Sequence, residues 1–161
     1  MLVPYVDLHP LAREGLLRHF PDAELVRLSR APDAYYSFLS AEWASGVGFV
    51  VVEQDIEIHA DVVPQLEACS EPYCVFPYSG PIGDGQGDPL FYNSLGCTRF
   101  SSALLAELPS LMAELPVRDW RRLDAHIWPA LQGAGVTPHF HWPVVKHHHV
   151  FEGRCACGEE H

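Results

Sequence analysis

Basic residues are scarce in this chain: ten Lys and Arg stand against 21 Asp and Glu, for a formal charge of −11. That deficit argues against non-specific binding along a phosphate backbone, which needs many cations to displace counterions. Only Arg118, Arg121 and Arg122 cluster, leaving nucleic acid open as a partner without favouring it. No apolar run approaches the length of a membrane span, so no membrane association is expected. The opening residues Met-Leu-Val-Pro-Tyr-Val-Asp lack the basic-then-apolar pattern of a secretory signal. Cysteines are few and odd in number: Cys69, Cys74, Cys97, Cys155 and Cys157. That count fits reduced thiols better than a disulfide framework. These absences together point to a cytoplasmic protein. There is no internal repeat, and 161 residues suit one domain.

What is present is a core and a pattern. Apolar residues make up 48% of the chain, enough to fill a packed interior. Phe49-Val-Val-Val52, with Val47 before it, is an apolar run rich in β-branched residues, as in a strand buried on both faces. Further strands are expected at Leu2 to Leu8, Glu24 to Leu28, Tyr73 to Tyr78 and Tyr92 to Cys97, the last leading to a turn at Gly96. Helices are expected from Pro10 to Phe20, from Pro32-Asp33 through Trp43, from Asp61 to Cys69, from Ser101 to Leu108 and from Trp120 to Gln132. In the last of these, Trp120, Leu123, Ile127 and Leu131 share one face. Ser79 to Pro89, rich in Gly, Pro and Asp, reads as a loop. Alternating strands and helices imply a single-domain α/β fold: a Rossmann-like, mostly parallel or mixed sheet flanked by helices. The segment from Val150 onward reads as a short polar tail.

The buried strand stops at Glu53-Gln54-Asp55. Residues two apart on a strand face one side, so both carboxylates can meet one cation. In open α/β sheets, ligands bind beyond the carboxyl ends of strands, where this triplet lies. Asp124 sits early in the amphipathic helix and is a candidate general base; the helix dipole alone also explains an acid there. Ten histidines are many, and five fall between His139 and His149. His139 and His141 alternate in an extended segment, with His147 six positions on, and neutral imidazoles are metal ligands. Gly96-Cys-Thr-Arg99 combines a glycine turn with a guanidinium and suits a sugar or phosphate oxygen. Cys155-Ala-Cys157, with the histidines and His161, offers zinc ligands at an unusual spacing.

Taken in this order, the elements resemble a compact glycosyltransferase of the GT-A type. That resemblance implies a catalytic domain over 1–150, a tail over 151–161, and transfer of a sugar from a nucleoside-diphosphate donor to an acceptor hydroxyl. It implies Mn²⁺ or Mg²⁺ held by Asp55 and closed by His147, or else by His139 or His141. It implies Asp124 as the base, and Pro4, Tyr5, Glu53, Gly96 and Arg99 around the donor. The acceptor is not implied. The first acid is Glu where the family more commonly has Asp. The chain is also shorter than most members, which implies a reduced acceptor half or one completed by a second copy in a homo-oligomer. Two other readings compete. One is a non-catalytic metal-binding module built on the histidines and Cys155/Cys157. The other is a metal-dependent hydrolase or nuclease using Glu53, Asp55 and imidazoles.

Overall fold

In the computed structural model, which describes residues 1–80, 90–92, 95–148, 150–151 and 154–155, strands and helices alternate through the first half of the chain. The order is β1 (Leu2–Tyr5), α1 (Pro10–His19), β2 (Glu24–Arg27), α2 (Ala34–Ser45), β3 (Phe49–Val52), β4 (Ile56–Glu57) and α3 (Val62–Ala68). Then come β5 (Tyr73–Val75), β6 (Tyr78–Gly80), β7 (Leu90–Tyr92), β8 (Cys97–Phe100), α4 (Ser102–Glu107), α5 (Leu111–Glu114) and α6 (Trp120–Gly133). The chain continues through β9 (His139–Phe140), β10 (Val145–His147), β11 (Val150–Phe151) and β12 (Arg154–Cys155).

The fold is α/β, with a Rossmann-like mixed sheet of six strands in the order β2-β1-β3-β8-β5-β9. β1 runs parallel to both β2 and β3, as right-handed crossovers through α1 and α2 require. β8 is antiparallel to β3 and to β5, and β5 is parallel to β9. A second sheet, β4-β10-β6-β7, sits beyond the carboxyl end of β3. β11 and β12 pair with each other within the segment read as a tail.

Period-two alternation along β3 divides the core in two. Phe49 and Val51 join Tyr36, Leu39, Trp43, Tyr73, Phe100, Leu123, Ile127 and Leu131 on one face. Val50 and Val52 join Val3, Leu16, Val62, Leu66, Phe76 and Val145 on the other. α2 and α6 therefore cover one face, and α1 and α3 the other. Tyr36 is a core residue whose hydroxyl donates to the Met112 carbonyl at 3.0 Å, and Trp43 Nε1 donates to the Leu108 carbonyl at 2.8 Å. α6 carries Pro129 in its interior, at a cost of about 3 kcal/mol. Leu123, Ile127 and Leu131 are sealed from solvent, and each contributes about 1.5–3 kcal/mol, which outweighs the proline.

Three sequence expectations are corrected. The strand expected over Tyr73 to Tyr78 is split at Phe76-Pro77: Pro77 has no N–H to give, and the chain passes there from the first sheet to the second. The strand expected to run into a turn at Gly96 instead begins after it. β8 is central although its residues, Cys-Thr-Arg-Phe, look polar, because Thr98 is buried and pairs across both neighbours. Trp120 is 50% exposed rather than part of the buried stripe, and the Arg121 guanidinium lies 4.9 Å over its ring. Arg118 lies similarly 5.0 Å over Tyr36, so two of the three clustered arginines rest on aromatic faces. The loop expected at Ser79 to Pro89 falls largely outside the described residues, as do Cys157 and His161.

Gly96 shows what the β8 start demands. A Cβ there would come within 2.7 Å of the Tyr78 ring and 3.1 Å of Ile56. Gly96→Ala is therefore predicted to destabilise the fold by about 1–3 kcal/mol in denaturant unfolding. An unchanged midpoint would show that this packing does not matter.

Candidate active site

The carboxyl end of β3 is where the chain gathers its polar side chains. Gln54 anchors it. Its side-chain oxygen accepts from the Val6 N–H at 2.7 Å and the Asp7 N–H at 3.0 Å, and its carbonyl accepts from the His9 N–H at 3.0 Å. The segment after β1, with Pro4 buried and Tyr5 half-buried at the strand's end, is thereby tied to the triplet. Pro4 and Tyr5 thus lie at the same sheet end as Glu53 and Asp55, because β1 and β3 are parallel.

Glu53 continues the alternation of Phe49 and Val51 onto the α2/α6 face. There it meets Tyr35 from α2 and the field of Asp124 from α6. Loss of water around the Glu53 carboxyl, then the charge of Asp124, then that of Asp55, hold it well above the usual carboxylate range. The Tyr35 hydroxyl opposes this in part, although the contact falls short of good hydrogen-bond geometry. Tyr35 is itself pushed up, by burial first and then by Glu53 and Asp124. Burial and then Asp124 also push Tyr73 upward. Glu53 and Asp55 thus share one electrostatic neighbourhood with the sequence-distant Asp124, an arrangement that favours a bound proton or a cation.

Asp55 turns the other way. Its Oδ2 lies 3.0 Å from His147 Nε2, with both side chains largely buried. β10 delivers that imidazole by pairing antiparallel with β4, His147 opposite Ile56 and Lys146 opposite Glu57. The adjacent residue reinforces the register: the His148 N–H donates to the Asp55 carbonyl at 2.8 Å. His148 Nε2 also lies 2.8 Å from Glu57 Oε2, and its buried ring stacks on His9 at 4.4 Å. Two cis ligands on an octahedral ion, each about 2.1 Å away, stand about 3.0 Å apart. The Asp55–His147 separation fits such an ion, and a carboxylate with an imidazole is a donor set that Mn²⁺ accepts.

The structure divides the remaining candidates. His139 and His141 do not join the Asp55 group. Their ring nitrogens gather with the thiols of Cys69 and Cys74, all four ligand atoms within 4.8 Å of one another. The reason is the register of β9 on β5, which places His139 beside Cys74. Arg99 also belongs to that side: its Nη1 donates to the Glu71 carbonyl at 3.0 Å and reaches Cys74 Sγ at 3.8 Å. Gly96 packs under Tyr78. Neither Gly96 nor Arg99 is thus placed as a phosphate loop would place it, because the segment is a central strand. Among the described residues this Cys/His group is the only set of three or more such ligands that converges so closely.

Sequence reading missed Tyr35, Glu57, His9 and His148, which hold the site from the side, and Cys69 and Cys74. The pattern of two cysteines five residues apart and a later His-x-His was there to be paired; only the β5–β9 contact joins them. No protein-family model matches the chain, and no curated protein matches it. Among solved structures, the crystal structure of A197 from STIV is similar over 94% of this chain and 84% of that one, with a TM-score of 0.52 at 11% identity. Likeness at that identity shows the fold alone. Among the described residues, no helix is long and apolar enough to cross a membrane.

The raised Glu53 carboxyl has a measurable consequence. The folded protein keeps a proton there that the unfolded chain releases above its ordinary value of 4.5. Stability from this group is therefore complete below that value and is lost as pH rises toward the folded-state value. In buffer free of manganese and magnesium, Glu53→Gln is predicted to flatten the fall of the thermal midpoint as pH rises above the ordinary carboxylate value. Parallel wild-type and variant profiles would show that Glu53 does not hold the proton.

Proposed function

We propose that this chain is a metal-dependent glycosyltransferase that uses a nucleoside-diphosphate sugar. The observation that carries the reading is Asp55 Oδ2 and His147 Nε2 meeting at 3.0 Å where β3 ends. The Glu53 and Asp124 carboxylates lie on the adjoining face of that strand end. An acid triplet, a later helical acid and a C-terminal imidazole occur in that chain order on a Rossmann-like sheet, and this order supports the GT-A resemblance. Mn²⁺ or Mg²⁺ is the cation the donor set suits, and when bound it supplies Lewis-acid stabilisation to a departing diphosphate.

The chain's own residues supply the rest. Asp55, just before β4, and His147, on β10, would hold the cation, so their alignment depends on β4 and β10 staying paired. Gln54 fixes the segment after Tyr5 against the strand end, which leaves Pro4 and Tyr5 to border the donor. Glu53, whose proton affinity is raised by burial and then by Asp124 and Asp55, is placed to face a sugar hydroxyl of the donor. Asp124, on the rim of α6, accepts the proton of the acceptor hydroxyl as it attacks, which is the role of a base in an inverting reaction. The acceptor approaches over α6.

The Cys/His cluster favours a second reading, a metal-binding module without catalysis. A thermal-shift screen of nucleoside diphosphates and their sugars, with and without Mn²⁺, separates the two, since ligands of the folded state raise its midpoint. A manganese-dependent shift with one nucleotide is expected; zinc binding without any nucleotide response favours the module. Release of phosphate or cut nucleic acid with no sugar donor points instead to a hydrolase or nuclease.

Asp55→Asn is predicted to leave the fold intact and to cut metal-dependent donor turnover by about 10²-fold or more. Full activity in that variant rejects the assignment. For Asp124→Asn, transfer to acceptor falls by about 10²–10⁴-fold while donor binding persists. Undiminished transfer would leave Asp124 with only its electrostatic part beside Glu53.

A further inference from the structure

The second cluster has a chemistry of its own. Cys69 is the C-cap residue of α3, and Cys74 lies at the centre of β5, fully buried. His139 stands beside Cys74 in the parallel β5–β9 pair, and His141 follows two residues on, so both imidazoles share a side of the extended segment. Cys69 Sγ is 3.2 Å from His139 Nδ1 and 2.7 Å from Cys74 Sγ. The two imidazole rings have centroids 4.7 Å apart, and His141 rests on Phe76 at 5.2 Å. His141 Nε2 is closed off from solvent and has no hydrogen-bond partner among the described residues. A buried, unpartnered ring nitrogen needs an explanation, and here it belongs to a group of converging thiols and imidazoles.

We infer that Cys69, Cys74, His139 and His141 form a closed four-ligand zinc site that pins the edge strand β9 to the main sheet. Two thiols and two imidazoles with no carboxylate select a borderline-soft cation over Mn²⁺ or Mg²⁺. Four protein ligands leave no open position, which is the mark of a structural zinc. A zinc tetrahedron has edges of about 3.3–3.8 Å, inside the 4.8 Å envelope the four ligand atoms already occupy. The sulfurs, at 2.7 Å, open by about 1 Å to reach such an edge.

The site has a structural task to perform. β9 is two residues long and pairs only with β5, and so short an edge pair is marginal alone. Its continuation is held by the His141 N–H donating to the Val75 carbonyl at 2.9 Å and by Gln65 Nε2 donating to the Trp142 carbonyl at 3.2 Å. The same stretch of chain runs on into β10 and His147. A zinc at this place fixes where that segment starts, and it stands whether or not the transferase reading holds.

The test is metal content of the full chain, purified under reducing conditions without added metal. One zinc per chain is expected. Cobalt substitution is expected to give the intense visible bands of a tetrahedral ion and thiolate-to-metal charge transfer in the near ultraviolet. His139→Ala, at an exposed position, and Cys69→Ser lose the zinc, whereas Asp55→Asn and His147→Ala keep it. Chelation lowers the wild-type thermal midpoint by about 10 °C and leaves that of His139→Ala unmoved. A chain with free thiols that takes up neither zinc nor cobalt overturns the inference. So does zinc that survives in His139→Ala and Cys69→Ser but leaves with Asp55→Asn, a cobalt spectrum without thiolate bands, or a Cys69–Cys74 disulfide in the reduced preparation.

Discussion

The proposed transferase site depends on where β3 ends. Its four side chains are buried on both faces, so the strand cannot slide without exposing one core or the other. That fixed end sends Glu53 to the α2/α6 face and Asp55 toward the second sheet. The 3.0 Å approach of Asp55 to His147 then ties the two sheets together at the point where a ligand would sit. His148, bonded to the Asp55 carbonyl and to Glu57, keeps that approach in register from the other side of the strand.

The same arrangement is costly without a ligand. Loss of water around the Glu53 carboxyl, with the charges of Asp124 and Asp55 facing it, raises its proton affinity. Packing has to absorb that cost, and the two apolar layers on either face of the sheet supply the means. A cation would relieve the repulsion, so ligand binding and stability are expected to be coupled through this strand end.

Much of the fold was legible because its elements follow simple periods. The continuous apolar run at Phe49, the Leu123-Ile127-Leu131 stripe and the Gly46 helix end were all readable, and Gly46 does adopt the left-handed conformation with φ of 69°. A serine cap at Ser101 or Ser102 was readable too, and it is Ser101 whose side chain accepts from the Leu104 N–H. The central strand Cys97–Phe100 was not, since its polar letters hide a position buried by neighbours on both sides. The triplet and His147 were legible as separate signals. Their meeting was an expectation, because nothing local says that β10 pairs with β4. His139 and His141 were legible as candidate ligands, but the structure gathers them with other residues than Asp55. Their true neighbours, Cys69 and Cys74, come from an earlier stretch of chain that only the β5–β9 pairing brings alongside.

The central claim is that Asp55 and His147 share a divalent cation that grips a diphosphate. Crystals grown with Mn²⁺ and a nucleoside diphosphate, measured at the manganese absorption edge, test it most directly. The account predicts one anomalous peak between the Asp55 carboxylate and the His147 imidazole, in contact with both phosphates. A peak elsewhere, or a nucleotide bound away from the end of β3, would contradict it.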